Sequence, residues 1–104
     1  MDSSVKIKIK SIVEGILPGA KIVLFGSHAR GDSGPDSDYD LLLITKNKFS
    51  DKEKSDFRSS ISRTLVRALN SPVDVLLNSE EEINVKKNLP GHVVRWAIKE
   101  GVEL

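Results

Sequence analysis

Residues 26–40 read GSHARGDSGPDSDYD. The stretch follows the apolar run KIVLF at 21–25 and ends inside a second, YDLLLI at 39–44. Both runs have the length and composition of buried strands, so Lys21–Phe25 and Tyr39–Thr45 are expected to be neighbours in one sheet. Gly26 lets the backbone approach a ligand closely or take a positive φ. Ser27 is placed to cap a short helix through His28, Ala29 and Arg30, and free N–H groups at a helix start suit phosphate oxygens. Gly31, Gly34 and Pro35 then make a turn-rich connection that also holds Asp32, Asp36 and Ser37.

The acids at the end of the stretch carry the chemistry. In an extended chain Asp38 and Asp40 project from one face, roughly 7 Å apart. Two catalytic ions lie about 4 Å apart, so a same-face pair can hold both. Oxygen ligands without His or Cys favour Mg²⁺ over Zn²⁺, and Mg²⁺ usually arrives with substrate phosphates. Without cations, two neighbouring carboxylates disfavour their shared ionisation. A D-x-D pair by itself is weak evidence, because it also describes an acidic turn before an ordinary strand. What makes the combination specific is the Gly-Ser turn ahead of it, with ten residues between Ser27 and Asp38. A third acid, Asp74, lies in the apolar run Val73–Leu77, where a charge is costly unless paired or on metal. The bland reading of Asp74 is an edge-strand residue facing water.

The ordered set of strand, Gly-Ser, basic helical stub, glycine-rich loop, D-x-D and strand resembles the G-S-x10-D-x-D signature of the DNA polymerase β-like nucleotidyltransferases, in particular their minimal stand-alone domains. The resemblance implies a small palm-like α/β (α+β) fold. It places Asp38, Asp40 and Asp74 as catalytic carboxylates that bind two Mg²⁺ ions, with Asp74 helping to deprotonate the attacking hydroxyl. It places Gly26 and Ser27 at the nucleotide phosphates, and Arg30 and Ser37 with them. For Arg30 the residues leave two readings open, the phosphates or a local acid. His28 reads as a solvated surface histidine. The specific part of the resemblance is residues 26–40; the C-terminal half matches by pattern only.

Minimal domains of this kind resemble the antitoxin half of toxin–antitoxin pairs whose partner is a helical HEPN ribonuclease. That implies transfer of a nucleoside monophosphate, AMP from ATP, to a hydroxyl of the partner protein. A contact-only binding module is the alternative. Transfer to a small molecule such as an aminoglycoside is disfavoured by the lack of room for an acceptor-binding domain.

A chain of 104 residues suits a single domain over residues 1–104, burying about two thirds of its unfolded surface. Sixteen Lys and Arg against 15 Asp and Glu give no general case for nucleic-acid binding. The absence of cysteine excludes disulfides and thiolate metal sites and suits the cytoplasm. No segment reads as a membrane span or signal peptide. A homo-oligomer is left open.

Outside the motif, VKIKIK at 5–10 alternates like a strand, yet Val5, Ile9, Ile12, Val13 and Ile16 form a longer helical stripe stopped by Pro18-Gly19. A helix is expected there. Ser50 to Asn70 reads as a helix with a Ser50/Glu53 capping box and Phe57, Ile61, Leu65 and Leu69 on one face. Val73–Asn78 reads as a third strand, and Ser79 with Glu82 as a capping box for a short helix. A last helix is expected from Pro90 through His92 and Trp96 to Gly101, with Trp96 packing it onto the sheet or, as the alternative, serving a partner interface. About three strands, covered by helices on one face and open on the other, should gather the acids on the open side.

Overall fold

The computed structural model describes residues 1–104. Its elements, in chain order, are α1 (Ser3–Ile16), β1 (Lys21–Phe25), α2 (Ser27–Arg30), β2 (Tyr39–Thr45), α3 (Asp51–Leu69), β3 (Val73–Ser79), α4 (Glu80–Lys86), α5 (Val93–Glu100) and β4 (Val102–Glu103). The sheet is mixed, in the order β3-β2-β1-β4. β1 runs antiparallel to both β2 and β4, whereas β2 and β3 are parallel, joined through α3. This is the expected small α+β domain.

The competition in the first segment is won by the helix. The Asp2 side chain accepts from the Ser4 N–H and caps α1. Ile9 and Val13 are buried while Ile7, which the alternation also favours, is 66% exposed. Both capping boxes form: Ser50 with Glu53 opens α3, and Ser79 with Glu82 opens α4.

Side chains alternate across a strand, so each strand feeds two layers. Ile22, Leu24, Leu41, Leu43, Val73, Val75 and Leu77 pack with Ile9 and Val13 of α1 and Ile61 and Leu65 of α3. Val23, Phe25 and Leu42 pack on the other side with Ile83 of α4 and Val94 and Ala97 of α5. Helices therefore lie on both faces of the sheet, where one covered face was expected. The second layer is small, and it leaves bare the end of that face where β2 and β3 begin.

The C-terminal segment departs furthest from expectation. α5 starts at Val93, not Pro90, because His92 serves as its N-cap: the His92 Nδ1 accepts from the Val94 N–H at 3.1 Å. Trp96 does not pack on the sheet; it faces solvent with 56% of its surface exposed. Beyond Gly101 the chain forms a fourth strand, pairing Val102 with Leu24 and Glu103 with Val23.

Glu82 ties α4 to α3 through Lys54. Burial pushes its carboxyl up, but the Lys54 hydrogen bond and the Ser79 backbone N–H outweigh that and hold it at about 2. A depressed carboxyl stabilises the fold above its ordinary pKa of 4.5, and that stability is lost as pH falls from there towards 2. Glu82→Gln is expected to melt several degrees below wild type at pH 7. The gap should close on acidification through that window in a series of melting curves.

Candidate active site

The site is built where β1 ends and β2 and β3 begin. The register sets Asp40 of β2 between Phe25 of β1 and Asp74 of β3. Neighbouring strands lie about 4.8 Å apart, so the Asp40 and Asp74 side chains leave adjacent positions on the same face. That face is the one packed further along by α4 and α5. Asp38, two residues before Asp40, belongs to it by alternation. The structure thus brings the three expected carboxylates to one end of one face, with Asp38 and Asp74 exposed and Asp40 half-buried.

Gly26 closes the site beside Asp40. Its backbone, φ 75° and ψ −157°, lies in a region that only glycine occupies readily. A Cβ at this position would lie 2.2 Å from Asp40 Oδ2. The missing side chain is therefore the space that the carboxylate uses. Gly26, not Ser27, is the N-cap of α2, and its carbonyl accepts from the Ala29 and Arg30 N–H groups at 3.1 and 3.0 Å. Ser27 becomes the first helical residue. It is therefore inside the helix and does not serve as its cap.

The loop from α2 to β2 is held by contacts that single-residue reading did not reveal. The Ser37 hydroxyl accepts from the Gly34 N–H at 2.8 Å, so this side chain shapes the loop. His28 is not a solvated surface residue: it stacks on Tyr39 with ring centroids 3.8 Å apart and planes within 7°. Its Nε2 donates to the Ser37 carbonyl at 3.2 Å. The stack links α2 to the start of β2, at the residue between the two acids of the D-x-D pair. Arg30 pairs with local acids, Asp32 at 3.3 Å and Glu100 at 3.4 Å.

Glu100 is the site neighbour that sequence reasoning missed. It lies at the end of α5, accepts from the Gly26 N–H at 3.1 Å and pairs with Arg30. No local spacing announces a contact between residues 74 positions apart.

The electrostatics are those of crowded acids. Burial pushes the Asp40 carboxyl above its ordinary value, and the charges of Asp74 and Asp38 push it further. His28 and Arg30 oppose the shift without cancelling it. Such a group lowers its free energy by meeting a cation. No three His, Cys, Asp or Glu side chains form a ready-made metal cage. The donor set fits a hard ion that takes one or two carboxylates here and completes its shell from phosphate oxygens and water.

Asp74 faces a second feature. β3 is an edge strand, and α3 lies along it. Arg58 Nε donates to the Val75 carbonyl at 2.9 Å and the Ser62 hydroxyl to the Val73 carbonyl at 3.0 Å. Between them runs an open groove of about 480 Å³, lined by Ser55, Arg58, Ser59, Ser62, Arg63 and Asp74.

A Gly-Ser turn thus packs on Asp40 at one end of a mixed sheet. Residues 6–101 match the nucleotidyltransferase domain family, and the chain belongs to it. It is a nucleotidyltransferase domain, and its enzymatic class is nucleotidyl transfer. MJ0604 of Methanocaldococcus jannaschii, assigned by name as a protein adenylyltransferase, is 33% identical over 81 residues, 78% of this chain and 73% of that protein. A solved structure assigned as a minimal nucleotidyltransferase superposes with a TM-score of 0.67 at 20% identity, over all of this chain and 97% of the other. A toxin–antitoxin structure with AMP-PNP superposes with a TM-score of 0.69 at 21% identity, covering 94% of this chain and 70% of that one. The complex of a tri-AMPylated Shewanella oneidensis HEPN toxin with its MNT antitoxin gives 0.62 at 18%, covering 99% and 71%. No helix is long and apolar enough to cross a membrane.

Proposed function

We propose that this domain transfers AMP from ATP to a hydroxyl of a partner protein, and that the partner is a helical HEPN-type toxin which the transfer silences. The observation that carries the reading is the juxtaposition of Asp40 with Asp74 across the β2–β3 register and with Gly26 at the turn. Three supports stand beside it. The M. jannaschii relative is assigned as a protein adenylyltransferase. One structural neighbour is a toxin–antitoxin with AMP-PNP, and another holds an AMPylated HEPN toxin with its antitoxin.

In this reading the Gly26–Ser27 turn and the Ser27 hydroxyl hold the triphosphate, with Arg30 and Ser37 contributing through the shape of the adjoining loop. Asp38, Asp40 and Asp74 would hold two Mg²⁺ ions. When bound, the ions supply charge neutralisation at the phosphates and lower the pKa of a bound hydroxyl. The acceptor oxygen forms a bond to the α-phosphorus as the bond to pyrophosphate breaks, and the hydroxyl proton passes to Asp74. The groove beside Asp74 offers an acceptor segment a way in along the β3 edge.

Intact mass of the co-purified partner, before and after incubation with ATP and Mg²⁺, tests the proposal. Addition of one or more AMP residues is expected. Growth rescue of toxin-expressing cells with no mass added would establish contact-only neutralisation instead. Asp74→Asn separates the two further. It is expected to slow transfer by roughly 10²- to 10⁴-fold, as loss of a proton acceptor does, while pull-down of the partner is unchanged.

A further inference from the structure

We propose that Glu100 is a positioning residue of the nucleotidyl site, fixing the Gly26–Ser27 turn from behind through the Gly26 N–H and Arg30. The inference rests on the reading of that turn as the phosphate grip. The turn is constrained on two sides. In front, Gly26 abuts Asp40 so closely that no Cβ fits. Behind, its N–H donates to Glu100 Oε1 at 3.1 Å, and the same carboxylate holds Arg30 at 3.4 and 3.5 Å. One side chain thus ties both ends of α2, its N-cap residue and its last residue, to the end of α5.

Glu100 has little freedom to do otherwise. Its side chain is 16% exposed, and burial of a charge is unfavourable unless the charge is paired and hydrogen-bonded. Here both conditions are met by groups of the turn. The next residue locks the backbone: a Cβ on Gly101 would lie 2.3 Å from both the Ala97 carbonyl oxygen and Val23 Cγ1. Val102 then pairs with Leu24. The α5–β4 corner is thereby clamped onto β1, and it delivers a carboxylate to the residue that follows β1. The second helical layer, which contributes none of the three acids, reaches the site through this contact.

The test compares wild type with Glu100→Ala and Glu100→Gln in the full chain. It uses calorimetric binding of ATP with Mg²⁺, hydrogen exchange at the Gly26 amide, and melting temperature. Glu100→Ala removes both contacts and is expected to weaken ATP binding tenfold to a hundredfold, the range for a lost charge-assisted hydrogen bond. It should also speed exchange at Gly26. Glu100→Gln keeps an oxygen for the Gly26 N–H and should recover most of the affinity and protection. Equal affinity in all three proteins would overturn the proposal. So would Glu100→Gln losing as much affinity as Glu100→Ala with an equal drop in melting temperature, which would mark a role in stability alone. Wild-type protein that binds no ATP with Mg²⁺ would overturn the nucleotide reading of the turn, and this inference with it.

Discussion

Asp40→Asn is expected to abolish nucleotidyl transfer while raising the melting temperature of the ligand-free protein. The two effects have one cause. Asp40 is held above its ordinary pKa by burial and by the charges of Asp74 and Asp38. A carboxyl raised in the folded state destabilises that state when ionised. The fold is therefore relatively more stable below the ordinary pKa of 3.8, and stability falls as pH rises through the elevated folded value. Asparagine removes the repelling charge, so the variant should melt a few degrees higher at pH 7 and lose its advantage below about pH 3, where the wild-type carboxyl is also neutral. Transfer should fall by at least about 10³-fold, since the amide cannot replace a carboxylate at a cation. Melting curves across pH with steady-state rates check both halves. A variant that transfers normally would remove Asp40 from the site, and one that fails to fold would make it a structural residue.

Gly26→Ala is the second large effect, and it should separate activity from stability in the opposite sense. The added Cβ meets Asp40 Oδ2, the end of a side chain that can swing away, so the collision itself is relieved cheaply. The backbone strain is not: alanine at φ 75° costs about 1–3 kcal/mol. The carboxylate, once displaced, no longer lies where the turn and Asp74 converge on it. Transfer is expected to drop by about 10²-fold or more, the scale of a misplacement of roughly 1 Å at a reacting centre. Denaturant unfolding gives the stability term and initial rates give the other. Wild-type rates in a folded Gly26→Ala protein would mean that the close approach has no role in the chemistry.

Much of this was legible from local sequence. The strands that carry Asp40 and Asp74 are each seven residues long and largely apolar, and both capping boxes are complete within four residues. The common face of Asp38 and Asp40 follows from strand alternation alone, whereas Asp74 joins it through the β2–β3 register. What escaped reading depends on distant partners. β4 has two residues, too few for any periodicity, and exists because the edge of β1 is there to receive it. Glu100 looks like any helix-terminal acid until α5 is laid against β1. Trp96 is exposed for a reason of spacing, not size. Val94 and Ala97, three apart, define the buried stripe of α5, and Trp96 lies off it. The stacking partner of His28, Tyr39, lies across the loop, where local pattern does not reach.

The side chains that α3 lays along β3 also decide in which direction this architecture can grow. Arg58 and Ser62 occupy the outward carbonyls of Val75 and Val73, so another strand finds those acceptors already spoken for. At the opposite margin the two residues of β4 cover only part of β1. Elaboration by added strands is thus steered to the β4 margin, and the flank beside Asp74 stays clear. Enlarging the domain and keeping a way open to its third carboxylate do not compete for the same border of the sheet.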